Sequence, residues 1–228
     1  MSKNAPHHSA QQDGTPPVTV SGGPVVKLPT AFGEFIAQAW VDEATGVEHL
    51  AVSSPEPPAH GSAPLVRLHS ECLTGDVFAS YRCDCGEQLA YALGLIRAQG
   101  GTLLYLRGHE GRGIGLANKI KAYALQEAGF DTVEANEQLG LPVDARSYTA
   151  AALILAEMGL TSIRLLSNNP DKKNRLATAG VHVVEMVPTE VPSRAENLRY
   201  LRTKKERMDH LLRLDLEHTG LRVIGEPD

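Results

Sequence analysis

The three cysteines of the chain, Cys72, Cys83 and Cys85, fall within fourteen residues, in the run His69-Ser-Glu-Cys-Leu-Thr-Gly-Asp-Val-Phe-Ala-Ser-Tyr-Arg-Cys-Asp-Cys-Gly86. A fold that gathers this Cys-x10-Cys-x-Cys spacing places three thiols around one point. A disulfide is disfavoured, because a Cys-x-Cys pair closes too small a ring for relaxed geometry. The N-terminus Met1-Ser-Lys-Asn-Ala-Pro-His-His8 also lacks the apolar core of a secretory signal, so a reducing, cytoplasmic setting is expected. Zinc on three thiolates keeps its fourth position for water, the arrangement of a hydrolytic site. Three ordinary buried thiols are the plain alternative. A fourth ligand from His69 or Asp84 would close the site into a structural one, and the spacing leaves that open.

The 228 residues suffice for one substantial α/β domain. A net charge of -5 and a pI near 6.0 supply no general field for nucleic acid, so the basic residues are expected to act locally on a small anion. No apolar run approaches the roughly 18 residues of a membrane span. Residues 1–25, rich in Gln, Gly and Pro, are expected to form a disordered arm, with His7-His8 as part of that solvated tail. The domain is expected over residues 26–213, followed by a tail over 214–228.

Apolar stretches Phe35 to Val41 and Val47 to Val52 flank the turn-forming Ala44-Thr-Gly46 and predict a β-hairpin. Ser53 to Pro64 reads as a surface loop, and Leu65 to His69 as a strand leading into the cysteines. Leu89, Leu93 and Ile96 recur at helical spacing until Gly100-Gly101 stops them. Beyond lie an expected strand Thr102 to Arg107, a helix Ile114 to Ala128, a helix Ser147 to Met158, a strand Ser162 to Ser167 and a short helix after Asn168-Asn-Pro170. A strand Val181 to Val187 and a long, basic, exposed helix Arg194 to Leu212 complete the series. Strands alternating with helices predict a three-layer α/β/α domain around a mixed, largely parallel sheet, with an N-terminal β-hairpin.

Two strand-to-helix junctions have the composition of anion sites. Gly108-His-Glu-Gly-Arg-Gly-Ile-Gly115 offers backbone amides, a helix N-terminus and Arg112, although it matches neither the P-loop nor the dinucleotide pattern. Asn168-Asn-Pro170 precedes Asp171-Lys172-Lys173, whose lysines would reach phosphate or simply face solvent. Arg67, Arg82 and Arg107 are further cations nearby, each more ordinarily a surface ion pair. Composition alone makes Asp144 a helix N-terminal anion and Tyr123 a core aromatic.

Together the motifs resemble GTP cyclohydrolase II, the zinc enzyme that begins riboflavin synthesis. Arg67-Leu-His-Ser-Glu-Cys-Leu-Thr-Gly-Asp76, Arg82-Cys-Asp-Cys-Gly86, Glu110-Gly-Arg112, Asp131-Thr-Val-Glu-Ala-Asn136, Asp144-x-Arg146 and Asn168-Asn-Pro170 stand in that family's order, across about Lys27 to Leu212. The resemblance implies zinc on Cys72, Cys83 and Cys85. It implies GTP contacts from Arg67, Leu68, His69, Ser70, Glu71, Gln88, Glu110, Gly111, Arg112, Thr132, Ser167 and Lys172. It further implies catalytic roles for Tyr123, Asp144 and Arg146, magnesium riding on the triphosphate, formate and pyrophosphate as small products, and a homodimer. Ser167 stands where the family commonly has threonine, which keeps the hydroxyl. The spacing of the first loop leaves the position of His109 undecided. The segment before Lys27 has no counterpart in the pattern, and no stretch resembles the dihydroxybutanone phosphate synthase domain fused to some relatives.

Chemically, zinc would generate hydroxide for addition at C8 of guanine, and Tyr123 would supply or relay a proton. The resemblance suggests attack of Arg146 on the α-phosphate, with Asp144 assisting, to give a guanylyl-enzyme. A guanidinium of pKa above about 12 is a poor nucleophile. Transition-state stabilisation by Arg146 while water attacks is the other route. Glu71 or Glu110 is expected to accept from the N1–H and 2-amino donors of guanine. A related enzyme of secondary metabolism, stopping at a formylated pyrimidine, is the nearest alternative, and a non-enzymatic zinc module the more distant one.

Overall fold

Apolar residues on both sides of the central strands set the architecture. In the computed structural model, residues 19–189, 191–207 and 210–212 are described. Seven strands form one sheet in the order β1-β2-β3-β5-β4-β6-β7. They are β1 (Val20–Thr30), β2 (Gly33–Asp42), β3 (Val47–Ser53), β4 (Leu65–Ser70), β5 (Gly101–Leu106), β6 (Ser162–Leu166) and β7 (His182–Val187). β1, β2, β3 and β5 pair antiparallel in succession, whereas β5, β4, β6 and β7 run parallel. The two reversals through β3 bring β2 into the direction of the parallel group, so the expected mixed, largely parallel sheet is present.

Period-two alternation sends Leu65, Leu103 and Leu166 to one face with Phe35, and Val66, Leu68, Leu104 and Leu165 to the other with Trp40. Ala92 and Ile96 of α2 (Cys85–Gln99) cover the first face. Ala151, Ile154 and Leu155 of α5 (Thr149–Glu157) and Leu176 of α6 (Pro170–Thr178) cover the second. Three layers result. Parallel strands buried on both faces need such near-continuous apolar runs, which is why β4 and β5 contain Leu65-Val and Thr102-Leu-Leu. Gly101, at φ +136, starts β5 where a Cβ would lie 2.0 Å from the Leu65 carbonyl oxygen, so only glycine permits that register.

Several expectations are corrected. Residues 20–25, assigned to a disordered arm, form the first half of β1, which pairs with β2 from Val20 opposite Asp42. Residues 1–18 and the expected tail 214–228 lie outside the described residues. The basic helix is shorter, α7 (Leu198–Arg207), and is not simply exposed, because Leu201, Thr203 and Lys204 are buried. α3 (Leu116–Glu127) begins two residues late, after Gly115 at φ +82. Two short helices were not anticipated: α1 (Leu73–Asp76) and α4 (Thr132–Gln138). α4 starts on a capping box, with Asp131 accepting from Val133 and Glu134 amides while Glu134 accepts from the Asp131 amide.

Candidate active site

β4 ends in Ser70 and passes directly into Cys72, while Cys83 and Cys85 stand at the start of α2. All three Sγ atoms lie within 4.8 Å of one another, and those of Cys72 and Cys83 are 3.7 Å apart. A tetrahedral zinc with bonds of about 2.3 Å would hold its sulfurs about 3.8 Å apart, so the donor set fits that ion. The thiols are free, with no disulfide among them. Gly75 makes room for them: a Cβ there would sit 2.8 Å from Cys83 Sγ and 3.2 Å from Cys72 Sγ.

Protons and charge are shared unequally in the cluster. Thiol hydrogen bonds from Cys83 and Cys85, helped by the Lys119 ammonium, hold the Cys72 thiol far below its ordinary range against the effect of burial. The bond to Cys72 and burial push Cys83 up to about 11, and Cys85 is pushed well above its usual range. A dication would offset the cost of ionising the second and third thiols. Neither alternative fourth ligand joins the three sulfurs. His69 Nε2 lies 3.0 and 3.1 Å from the Asp76 oxygens, and its ring stacks on Tyr105. Asp84 accepts from Lys204 Nζ at 2.8 Å and from Gln88 Nε2 at 2.5 Å.

Beside the thiols, the ammonium of Lys119 donates to Cys72 Sγ at 3.1 Å, Thr74 Oγ1 at 2.8 Å and Glu110 Oε1 at 2.6 Å. Burial alone would lower its pKa, but Glu110 and Cys72 together raise it, so it stays charged. One helical turn further along α3, the Tyr123 hydroxyl lies 3.4 Å from Thr74 Oγ1, and Arg82 stands 4.4 Å over its ring. Burial pushes the Tyr123 phenol above its usual range, so it carries its proton at neutral pH.

A second group of side chains is cationic. Arg146 donates through Nε and Nη2 to the two Asp144 oxygens, at 2.9 and 2.5 Å, and through Nη1 to Ser70 Oγ at 3.2 Å. This fork overcomes the burial that would lower the pKa of Arg146, and holds the Asp144 carboxyl below its ordinary value. Lys172 is buried and, among the described residues, bonded only to the Leu68 carbonyl at 2.8 Å. Desolvation, followed by the charges of Arg67, Arg146 and Lys204, pushes it well below its usual range, a condition that an anionic ligand would relieve. Arg67 reaches the Leu166 carbonyl, Thr189 and Gln88. Arg112 adopts φ +66 between Gly111 and Gly113, a left-handed turn that few non-glycine residues hold without a reason.

The GTP cyclohydrolase II family model matches residues 24–188, which include the cysteines and every one of these cations except Lys204. The chain belongs to this family. Riboflavin biosynthesis protein RibBA of Mycobacterium bovis and of Mycobacterium tuberculosis is 51% identical over 205 residues, covering 88% of this chain and 48% of theirs. The Mycobacterium ulcerans protein of the same name is as similar. The chain thus spans about half the length of the curated relatives it matches. A crystal structure of RibBX, a two domain 3,4-dihydroxy-2-butanone 4-phosphate synthase from A. baumannii, matches at 21% identity and TM-score 0.44, over 77% of this chain and 42% of that one.

Most family positions line one cleft of about 1180 Å³, part of it open to solvent. The three cysteines, Arg67, His69, Ser70, Glu71, Gln88, Gly111, Arg112, Tyr123, Thr132, Arg146, Ser167 and Lys172 all do so. Leu68, Glu110 and Asp144 stand behind the wall. Leu68 presents its carbonyl to Lys172, and Asp144 holds Arg146. Glu110 has both oxygens engaged, by Lys119, the Gly111 amide and the Leu73 amide. Set behind the wall with these bonds, Glu110 is less well placed than Glu71 to read guanine. Glu71 accepts from the Gly108 amide through Oε2 and still lines the cleft. His109 is buried against Ser70 and Tyr148, and Arg107 pairs with Glu48 at the surface. Lys119, Tyr200, Lys204 and His210 also line the cleft and were not anticipated there. Only Lys119 carried a signal, its i,i+4 spacing with Tyr123.

Proposed function

We propose that this chain hydrolyses GTP, releasing formate and pyrophosphate and leaving 2,5-diamino-6-(5-phosphoribosylamino)pyrimidin-4(3H)-one, the first step of riboflavin biosynthesis. One observation carries this: in a chain of the GTP cyclohydrolase II family, a single cleft is lined by the three-thiol cluster with Tyr123 and by Arg146 with Lys172. Cys72, Cys83 and Cys85 would hold zinc, which when bound would supply a water acidic enough to act as hydroxide near neutral pH. Tyr123, protonated by virtue of its burial, gives a proton to the ring nitrogen that departs as C8 is released. Glu71 accepts from the N1–H and 2-amino group, a donor pair that adenine lacks.

At the other reaction centre, Arg146 and Lys172 bind the phosphates, and magnesium carried in on the triphosphate would neutralise part of its charge. Asp144 keeps Arg146 ionised, so Arg146 acts as a clamp that stabilises charge on the transferring phosphoryl group while water attacks. The Ser70 hydroxyl fixes the third edge of the guanidinium. We place the protein in the cytoplasm as a homodimer. The test is incubation of the purified protein with GTP and magnesium, with formate, pyrophosphate and ultraviolet spectrum followed together. Both products should appear in equal amounts. Pyrophosphate without formate, or turnover of ATP at a comparable rate, would overturn the assignment.

A further inference from the structure

We infer that Thr74 is a positioning residue that directs the proton of Tyr123, with Lys119 setting the direction of its hydroxyl; the inference rests on Tyr123 being the proton donor proposed above. Thr74 belongs to α1, immediately after the first cysteine, and its hydroxyl stands between Lys119 Nζ at 2.8 Å and Tyr123 Oη at 3.4 Å. An ammonium donates and never accepts, so Thr74 Oγ1 must receive the Lys119 proton in one of its lone pairs. The single proton of Thr74 is then left to turn toward Tyr123 or toward Cys72 Sγ at 3.8 Å. Cys72 Sγ already takes the closer Lys119 proton at 3.1 Å. At 3.4 Å, the oxygen of Tyr123 is the nearer of the two acceptors.

With Thr74 donating to its lone pair, Tyr123 aims its own O–H into the cleft that both it and the thiols line. When the Tyr123 O–H bond breaks, its proton forms the new N–H bond on the departing ring nitrogen and its electron pair stays on Oη as phenolate. That phenolate can only accept, and Thr74 already points a donor at it. Water in the open cleft returns the proton for the next turnover. Glu110 keeps the chain rigid from behind, since its Oε1 anchors Lys119 at 2.6 Å and its Oε2 takes the Leu73 amide at 2.6 Å. The same carboxylate thus fixes Lys119 and the backbone immediately before Thr74.

The experiment uses Thr74→Val, which keeps the shape and removes the hydroxyl, Thr74→Ser, which restores it, and each of these combined with Tyr123→Phe. Thr74 is chosen over Lys119 because removing the ammonium would leave Glu110 buried and unpaired. Thr74→Val is expected to slow formate release roughly 10- to 100-fold through kcat, as for the loss of one hydrogen bond to a developing charge, with KM for GTP unchanged. Zinc per chain, by elemental analysis, should stay at the wild-type value. Thr74→Ser should recover most of the rate, and Thr74→Val should add nothing in the Tyr123→Phe background. Zinc loss, failure of serine to rescue, or a full additional loss in the Tyr123→Phe background would overturn the inference. A normal rate in Thr74→Val with a slow Tyr123→Phe would also overturn it and leave the role of Tyr123 intact. A normal rate in Tyr123→Phe itself would instead remove the proton donor on which it rests.

Discussion

Cys83 makes the clearest case at the scale of single residues. Its sulfur stands 3.7 Å from Cys72 Sγ, and the replacement Cys83→Ser leaves two thiolates, too few anionic donors to hold zinc on a site that neither His69 nor Asp84 joins. Elemental analysis of that variant should find zinc lost or sharply reduced; full occupancy with normal ring opening would remove the cluster from the chemistry. His109 offers a pH test. Burial, then the charges of Arg146 and Lys172, lower its pKa to about 4, so the folded protein holds it neutral. Between about pH 6.5 and about pH 4 the unfolded chain binds the extra proton, and stability therefore falls as pH falls through that window. Urea unfolding of wild type and His109→Asn should show their stability difference shifting against the wild type as pH drops, whereas a constant difference would mean that His109 titrates normally. The cysteine cluster was legible because its three members are near in sequence. The role of Lys119 was not, because its sulfur partner lies 47 residues earlier and nothing local marks the pairing.

Among elements, α7 departs furthest from its local sequence. Leu198–Arg207 reads as a solvated basic face, yet Lys204 is buried against Asp84, the residue between two of the cysteines and 120 positions earlier. Arg207 pairs with Asp131 at the start of α4, and Arg199 donates to the Gly129 carbonyl after α3, so the helix spans the ends of two others beside the cleft. Lys204→Met leaves a buried Asp84 carboxylate unpaired, a defect costing about 3–5 kcal/mol. Thermal unfolding should shift down by roughly 5–15 °C, with faster amide exchange over residues 198–207. An unchanged midpoint would show that α7 is held by Leu201 packing alone. β1 was hidden for a different reason. Gly22, Gly23, Pro24 and Pro29 argue against a strand, but an edge position tolerates proline and glycine because only one side of the backbone must pair.

For the molecule as a whole, the parallel part of the sheet explains why motifs far apart in sequence share one cleft. β4, β5 and β6 run side by side in one direction and end in Ser70, Leu106 and Leu166, delivering the cysteine run, the His109 to Arg112 turn and Ser167 at the same edge. Ligand sites of open α/β sheets lie outside these carboxyl ends. Alternating strands and helices made this architecture legible, whereas the packing of α7 across the site depends on long-range charge pairing. In the proposed reaction the thiol cluster and the Arg146 clamp act on different bonds of GTP, so their chemistry should separate. Cys72→Ser, lacking one thiol of the proposed zinc site, should stop formate release and still liberate pyrophosphate if phosphate cleavage does not require an open ring. Arg146→Lys keeps the charge but loses the planar fork that Asp144 and Ser70 orient. A clamp of that geometry should then fail, and pyrophosphate release should fall by roughly 100- to 1,000-fold, the scale of losing one oriented donor to a transition state. Formate measured in the same reaction decides the order of steps. Ring opening of intact triphosphate by Arg146→Lys would make the two hydrolyses independent, whereas loss of both products would mean that phosphate cleavage must come first to seat the base beside the thiols. A normal rate of pyrophosphate release in Arg146→Lys would exclude Arg146 both as a nucleophile and as an essential clamp.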